Sequence, residues 1–331
     1  MKKIVTIILC SALVMISGCD KYDFDQEQFR KEVNLLSNSN LVYDRQVAEL
    51  QQGGDTLFVV ASLSGSQASD ESFTVALQNS DTLLRAYNKS NFDINKARFA
   101  KYLPEECYEF PTMEMTIPAG SSKAMFPVYL KNLDKISPDS IYFLEYKIDS
   151  LKTPDCNPKK RHVLLRIHKE NYYASTQTAT YYNYTSSTII IPNTDGTSEV
   201  RRPTNSNRVF PVSENSVRLM AGDESFSDYT TALDIINKGS IILEMGEQLP
   251  ENPLAKELTI LPYKDIDVMQ LTPIGEYDNT YLLNVIRTPD GRATYYKEFR
   301  LHYKYRLQPT DRYREVNAKL RYQFNPRVEN L

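Results

Sequence analysis

Several residues and motifs that usually carry catalytic chemistry are scarce or missing in this sequence. It has three histidines, His162, His168 and His302, and no two of them stand at the spacing of a zinc motif. It has only 11 glycines, and they form neither a phosphate-binding loop nor a Gly-x-Ser-x-Gly nucleophile elbow. We therefore expect a protein that is not an enzyme and that carries no metal and no cofactor.

Basic charge is also in short supply. The chain has 39 Lys and Arg residues against 42 Asp and Glu residues, which gives a formal net charge of −3. Proteins that bind nucleic acid need a basic surplus to neutralise phosphates, so nucleic acid is not expected as a partner. The hydrophobic fraction of 41% is that of an ordinary globular protein, and the length of 331 residues suggests two domains.

The N-terminus has the pattern of an export signal. Two lysines precede an apolar run from Ile4 to Ile16, which is too short for a comfortable membrane span. The run ends in Ser17-Gly18-Cys19, which resembles a bacterial lipobox. We expect residues 1–18 to be a lipoprotein signal peptide and Cys19 to carry the lipid. An ordinary signal peptide with a chance cysteine is the alternative.

An acidic stretch follows the cysteine directly. Residues 20–27 carry four acids and one base, and such a stretch resembles the surface-export signal of Bacteroidota lipoproteins. Residues 19–39 are therefore interpreted as a lipidated acidic tether. The expected location is the outer membrane, with the lipid as the only membrane contact and the protein facing the cell exterior. A periplasm-facing anchor is the alternative.

Two cysteines remain once the signal peptide is removed and Cys19 is lipidated. Cys107 and Cys156 both lie in loop-like contexts, and an exported protein lies in an oxidising compartment. A disulfide between them would close a loop of about 50 residues and stabilise the fold by up to about 4 kcal/mol. We predict this disulfide, and two free thiols are the alternative.

The first half of the mature chain is dominated by the two-residue period of strands. Apolar residues alternate with polar ones in the segments around 73–77, 113–117, 142–148 and 163–167. The number and spacing of these segments predict an immunoglobulin-like β-sandwich over residues 40–169. One helix is predicted inside it at Thr82–Tyr87, capped by Ser80 or Asp81, and a short helical turn at Asp93–Ala100.

The second half, residues 170–331, shows the same period with more Tyr, Thr and Asn. Its clearest feature is a hairpin of Tyr281–Ile286 and Tyr295–Arg306 around the turn Pro289-Asp290-Gly291. Each of the last strands has one apolar and one charged face, as in a sheet that covers a core on one side. We predict a second antiparallel domain, a sandwich or a barrel, so the fold class is all-β with minor helices. The other predicted strands are 176–184, 188–191, 217–220, 229–236, 240–245 and 316–322.

Motifs in both halves resemble a known pair of domains. The segments 79–88, Tyr102-Leu103-Pro104 and Ile117-Pro118-Ala119-Gly120 resemble a Bacteroidota domain of unknown function. The same domain precedes some family-18 endo-β-N-acetylglucosaminidases. The segments 277–281 and 296–305 resemble the β-rich domain that usually follows it. No family-18 catalytic barrel is present, so the resemblance implies no hydrolytic activity.

The resemblance also implies a function. Such two-domain surface lipoproteins are typically encoded in polysaccharide-utilisation operons, beside outer-membrane importers of the starch-utilisation type. It therefore implies a surface protein that binds oligosaccharides and passes them to an importer complex. Two alternatives remain: a carrier of lipid or of a small apolar ligand, and a scaffold subunit of the importer that binds no ligand.

The chain has no tryptophan, so any aromatic platform for a sugar depends on its 23 tyrosines. Adjacent strand residues such as Tyr181 and Tyr182 point to opposite faces, so only one of them can belong to a platform. The alternative for each tyrosine is packing in the core, because Tyr is a favoured strand residue. The candidate glycan-binding residues are Tyr172, Tyr182, Tyr184, Tyr296, Arg202 and Asn207.

Overall fold

The computed structural model describes residues 29–51, 53–225, 232–287 and 289–326. The predicted signal peptide, residues 1–18, and Cys19 lie outside the described residues. No helix within those four ranges is both long and apolar enough to cross a membrane. Strands form nearly all of the regular structure, first as a sandwich and then as a barrel, so the predicted all-β class is confirmed.

The N-terminal domain is a sandwich of two sheets around an apolar core. Its strands are β1 (Val33–Leu35), β2 (Val42–Tyr43), β3 (Val47–Glu49), β4 (Asp55–Leu63), β5 (Phe73–Asn79), β6 (Lys101–Tyr102), β7 (Tyr108–Glu109), β8 (Glu114–Ile117), β9 (Lys123–Leu130), β10 (Tyr142–Ile148) and β11 (His162–Asn171). The first sheet has the order β1-β4-β9-β7. The second is built on β11-β10-β5-β8, with β2 and β3 parallel to β11 and β6 parallel to β10.

The sandwich begins earlier in the chain than the sequence suggests. Strand β1 pairs with β4, and Val33 and Leu35 are fully buried in the core. The predicted tether over residues 19–39 is therefore too long. The three-residue strand is too short to show a period of its own, which is why the sequence pattern missed it.

The predicted disulfide is wrong, because Cys107 and Cys156 are both free thiols. Cys107 directly precedes β7 and its thiol contacts the carbonyl of Asn132 at 3.7 Å. Cys156 forms a β-bridge with Val33 in β1. Strands β1 and β7 are the opposite edges of the four-stranded sheet, about 14 Å apart at the usual strand spacing. A disulfide needs Cα atoms no more than about 7 Å apart.

Helix α1 (Leu83–Phe92) lies between β5 and β6. It extends past the predicted end at Tyr87, and neither Ser80 nor Asp81 caps it. Its first backbone amides, including that of Leu83 at 3.0 Å, donate instead to the carboxylate of Glu145 in β10. A short 3₁₀ helix at Lys96–Arg98 lies within the predicted helical turn.

The C-terminal domain is a closed antiparallel barrel. Its wall is formed by eight strands: β13 (Thr180–Pro192), β15 (Ser206–Ser213), β16 (Ser216–Met220), β17 (Ser240–Leu249), β18 (Asn252–Pro262), β20 (Thr280–Arg287), β21 (Ala293–Arg306) and β22 (Arg314–Phe324). The barrel closes because β22 pairs with both β21 and β13. Three short strands lie outside the ring: β12 (Ala174–Ser175), β14 (Ser198–Arg201) and β19 (Asp267–Gln270).

The barrel interior is filled by side chains, many of them aromatic. The predicted hairpin is confirmed as β20 and β21, with Thr280 opposite Arg300 and Arg287 opposite Ala293. The alternate residues Phe299, Leu301, Tyr303 and Tyr305 of β21 are buried as the period of two predicts.

One predicted strand, Tyr229–Ile236, is wrong in its described part. Residues 232–239 form helix α2 (Ala232–Gly239). Ala232 and Ile236 are buried together against Met220, and their spacing of four residues is that of one helix face. A two-residue period would bury Asp234 together with these two residues, but Asp234 is exposed.

Candidate functional site

A cavity of about 910 Å³ lies where the sandwich meets the barrel. The sandwich contributes residues 136–142 and the end of β11 (166–169). The barrel contributes residues 201–208 around the start of β15, together with residues from β13, β16 and α2. Ligand sites commonly form between domains, where two surfaces create a concave shape that neither has alone.

The floor of the cavity is the outer face of three neighbouring barrel strands. Tyr181 of β13 pairs in register with Arg208 of β15, and Phe210 of β15 pairs with Arg218 of β16. Since directly paired residues on adjacent strands point the same way, these four side chains share one face. Tyr181 is 47% exposed and therefore offers a ring to a bound molecule.

Two guanidinium groups lie against the Phe210 ring. The guanidinium carbon is 4.5 Å from the ring centroid for Arg208 and 4.4 Å for Arg218. Cation–π contacts of this kind hold the two long side chains in place on the cavity floor.

A buried ion pair joins the domains at this point. Arg218 bonds to the carboxylate of Asp139, which lies just before β10, and the two side chains are 1% and 7% exposed. Arg218 also donates to the hydroxyl of Ser240 at 3.0 Å. Burial raises the pKa of Asp139 although Arg218 and other nearby cations act to lower it. The pair fixes the sandwich wall of the cavity to its barrel floor.

Three of the predicted residues come together in the cavity wall, namely Tyr184, Arg202 and Asn207. Asn207 donates to Tyr184 Oη at 3.1 Å and to the carbonyl of Met220 at 2.7 Å. Tyr184 in turn donates to the carbonyl of Gly222, and burial raises the pKa of its hydroxyl. These two side chains shape the wall through bonds to the protein itself, whereas Arg202 is exposed.

The other three predicted residues do not line the cavity. The prediction that Tyr182 binds a glycan is wrong. It is fully buried, stacks on Phe299 at 4.7 Å between centroids and donates to the Tyr173 carbonyl at 3.0 Å. Tyr172 is 40% exposed and contacts Lys297, whose Nζ is 4.2 Å from the ring centroid. Tyr296 is half-buried beside Arg321. Neither of these two lines the cavity.

Sequence reasoning gave no sign of Phe210 and Arg218 on the cavity floor. The rule that adjacent strand residues face opposite ways predicts that either Tyr181 or Tyr182 points outward, and the structure shows that it is Tyr181. Arg208 lies in the polar stretch around Arg202 and Asn207, so proximity in sequence was a usable signal. Nothing local marks Arg218, because its partner Asp139 is 79 residues away.

The part of the chain that the structure describes contains no group of three or more His, Cys, Asp or Glu side chains that could hold a metal ion. His168 lines the cavity. Burial, helped by the nearby charge of Arg166, lowers its pKa to about 4. It is therefore neutral near pH 7 and adds no charge to the site.

Two family models match the chain, one described as an N-terminal domain over residues 29–155 and one as the corresponding C-terminal domain over residues 161–321. The search of curated proteins finds no match. The chain belongs to a family of two-domain Bacteroidota proteins, as its motifs predict.

Solved structures share the whole two-domain fold. A multidomain protein including DUF1735 from Bacteroides ovatus is 16% identical with a TM-score of 0.61, covering 88% of this chain and 94% of that one. A protein of unknown function from the same species is 16% identical with a TM-score of 0.63, covering 89% and 93%. An auxiliary nutrient binding protein from Bacteroides thetaiotaomicron is 14% identical with a TM-score of 0.61, covering 87% and 94%.

Proposed function

We propose that this protein is a cell-surface lipoprotein that binds an oligosaccharide in the junction cavity and passes it to an outer-membrane importer of the starch-utilisation type. The observation that carries the proposal is the cavity itself, with the exposed ring of Tyr181 on its floor. A solved structure with the same fold belongs to an auxiliary nutrient binding protein, which supports a binding role for this chain.

The cavity has the features that a sugar requires. A tyrosine ring stacks on the apolar face of a pyranose while its hydroxyl stays hydrated. Exposed polar groups beside it, such as Arg202 and Asn205, can bond to sugar hydroxyls. A volume of about 910 Å³ is within the range of ordinary ligand sites.

The carrier alternative has less support. A lipid carrier of this fold would hold its ligand inside the barrel, but side chains such as Tyr182, Phe299 and Tyr303 occupy the described interior. Protein interiors packed in this way leave little room for a ligand. The proposal also treats the protein as a binding subunit and not as an enzyme.

Binding can be tested with the soluble fragment from Asp20 onward on a glycan array and in affinity gels. Retention by one glycan class is expected, and Tyr181→Ala should weaken it at least tenfold, about 1.4 kcal/mol. Tyr172→Ala is the matched control, since it removes an exposed tyrosine outside the cavity and should leave retention unchanged. No retention by any glycan would overturn the proposal.

The anchor is tested separately in the full-length protein. Cys19→Ala should abolish labelling by radioactive palmitate and should release the protein from the outer-membrane fraction. Protease added to intact cells should digest the wild-type protein if it faces the exterior. A wild-type protein that is labelled but survives protease would show a periplasm-facing anchor.

The importer contact is tested by crosslinking in cells grown on the retained glycan. Capture of an outer-membrane β-barrel importer, in the wild type and in Tyr181→Ala alike, is the expected result. Glycan retention without any importer crosslink would limit the role to capture at the surface.

A further inference from the structure

The charge of the junction cavity is opposite to that of the chain. The whole chain has a formal net charge of −3. The cavity, in contrast, is lined by more bases than acids. The bases are Arg98, Arg166, Lys169, Arg201, Arg202, Arg208 and Arg218, and the acids are Asp139, Asp223 and Glu224. A concave surface with one sign of charge focuses its field on whatever binds there.

The three acids are already engaged by cations. Asp139 bonds to Arg218, and Glu224 bonds to Arg314, which lies outside the cavity lining. Asp223 lies 3.6 Å from Arg201. The acids of the cavity are therefore not available to form ion pairs with its other bases.

Three of the arginines differ from Arg201 and Arg218 in this respect. Among the described residues, no carboxylate forms an ion pair with Arg166, Arg202 or Arg208. Arg166 and Arg208 are half-buried and Arg202 is exposed, so all three can reach a molecule in the cavity. Arg166 lies on the sandwich and the other two lie on the barrel side.

Arg218 provides a second, independent observation that favours an anionic ligand. Its side chain is 1% exposed, and its Nε is a buried donor that has no hydrogen-bond partner in the described structure. A buried donor without an acceptor is unfavourable. Arg218 is itself part of the cavity lining, so an anionic group bound above it would be attracted by this incompletely bonded guanidinium.

We propose that the junction cavity selects glycans that carry an anionic group, a carboxylate or a sulfate, over their neutral counterparts. This inference rests on the function proposed above. Tyr181 and Arg208 are direct cross-strand partners, about 5 Å apart at their Cβ atoms. The ring can stack on a pyranose while the guanidinium forms a paired bond to the acidic substituent of the same residue.

The test is a glycan array with matched pairs. Uronic-acid oligosaccharides are paired with their methyl esters, and sulfated galactans with their desulfated forms. At least tenfold tighter retention of either charged member supports the proposal, and the two arms distinguish carboxylate from sulfate. Retention of the charged member should also weaken as NaCl rises from 50 to 500 mM, since exposed charges are then screened.

Arg166→Gln and Arg208→Gln should each remove most of the preference for the charged member, so that the ratio of charged to neutral retention falls toward one. Arg287→Gln is the matched control, because this exposed arginine lies at the end of β20 and outside the cavity. Unchanged thermal unfolding of each variant shows that the fold is intact.

Equal retention of charged and neutral members would overturn this inference and leave the proposed function standing. Retention of no glycan would overturn both.

Discussion

Two buried carboxylates, one in the barrel wall and one at the domain junction, are stabilised in different ways. Glu298 is fully buried and accepts bonds from Arg300 at 2.6 Å, from Asn284 at 3.1 Å and from Arg321. Asp139 is nearly as buried but has a single cationic bonding partner among the described residues, Arg218. The first carboxylate has several donors and the second depends on one.

The pKa of each carboxyl follows from this difference. Burial acts to raise the pKa of Glu298, but the hydrogen bonds from Arg300, Asn284 and Arg321 outweigh it and the net pKa is lowered. At Asp139 burial outweighs the attraction of Arg218, and the pKa is raised. A carboxylate with several donors is a structural part of the barrel wall. The less satisfied pair lies in the lining of the junction cavity.

The largest expected effect comes from removing one cation from each carboxylate. Arg218→Met should lower the free energy of unfolding by about 3–5 kcal/mol, because it leaves Asp139 buried without the cation that bonds to it. Arg321→Met should cost about 1–3 kcal/mol, because Glu298 keeps Arg300 and Asn284. Urea unfolding followed by circular dichroism measures both, since the chain has no tryptophan for fluorescence.

The double variant Asp139→Leu, Arg218→Met is the control for this comparison. It replaces both charges with apolar groups and should recover most of the stability that Arg218→Met loses. Equal losses for Arg218→Met and Arg321→Met would show that the number of donors does not distinguish the two carboxylates.

The second effect is on the pH dependence of stability, which Glu298 and Asp139 change in opposite directions. Because the pKa of Glu298 is lowered, its stabilisation is present above the unfolded pKa of about 4.3 and is lost as pH falls through the folded pKa. The pKa of Asp139 is raised, so the folded state holds that proton more tightly and stability increases as pH falls through the raised pKa. Each unit of pKa shift corresponds to about 1.4 kcal/mol.

Glu298→Gln should therefore make the loss of stability between pH 7 and pH 3.5 smaller than in the wild type, and Asp139→Asn should make it larger. Urea midpoints at the two pH values measure the difference for each variant. His168 and the other titrating groups are common to all three proteins and cancel in the comparison. The same change of slope in both variants would refute the contrast.

Local sequence patterns predicted those parts of the fold that depend on neighbouring residues. The hairpin of β20 and β21 follows from two alternating runs around one turn, and the structure pairs them from Thr280 with Arg300 to Arg287 with Ala293. The start of helix α1 was predicted to within one residue, but its cap was not predictable in this way, because the first amides donate to the carboxylate of Glu145, 62 positions from Leu83.

The candidate site shows the same limit. Period two placed Tyr181 and Tyr182 on opposite faces, but both are tyrosines, so polarity could not show which one faces the core. The pairing of β13 with β15 and β22 determines which of the two tyrosines faces the core. The pairing of Arg218 with Asp139 joins two domains and has no signature in either local sequence.

The smallest effect is expected from variants that remove one neutral hydrogen-bonding partner, either from Arg218 at the junction or from Glu298 in the barrel wall. Ser240 accepts a bond from Arg218 at 3.0 Å, and Asn284 donates to Glu298 at 3.1 Å. Asn284→Ala should cost about 0.5–1 kcal/mol, since two arginines still satisfy Glu298. Ser240→Ala should cost more, about 1–3 kcal/mol, because one buried nitrogen of Arg218 already has no partner in the described part of the chain and the variant removes a further bond. Urea unfolding at pH 7 distinguishes the two, and a larger loss for Asn284→Ala would mean that Arg218 is better satisfied than the junction geometry indicates.

A charged glycan that restores the stability of Ser240→Ala more than that of Asn284→Ala would connect the incomplete bonding of Arg218 to ligand binding.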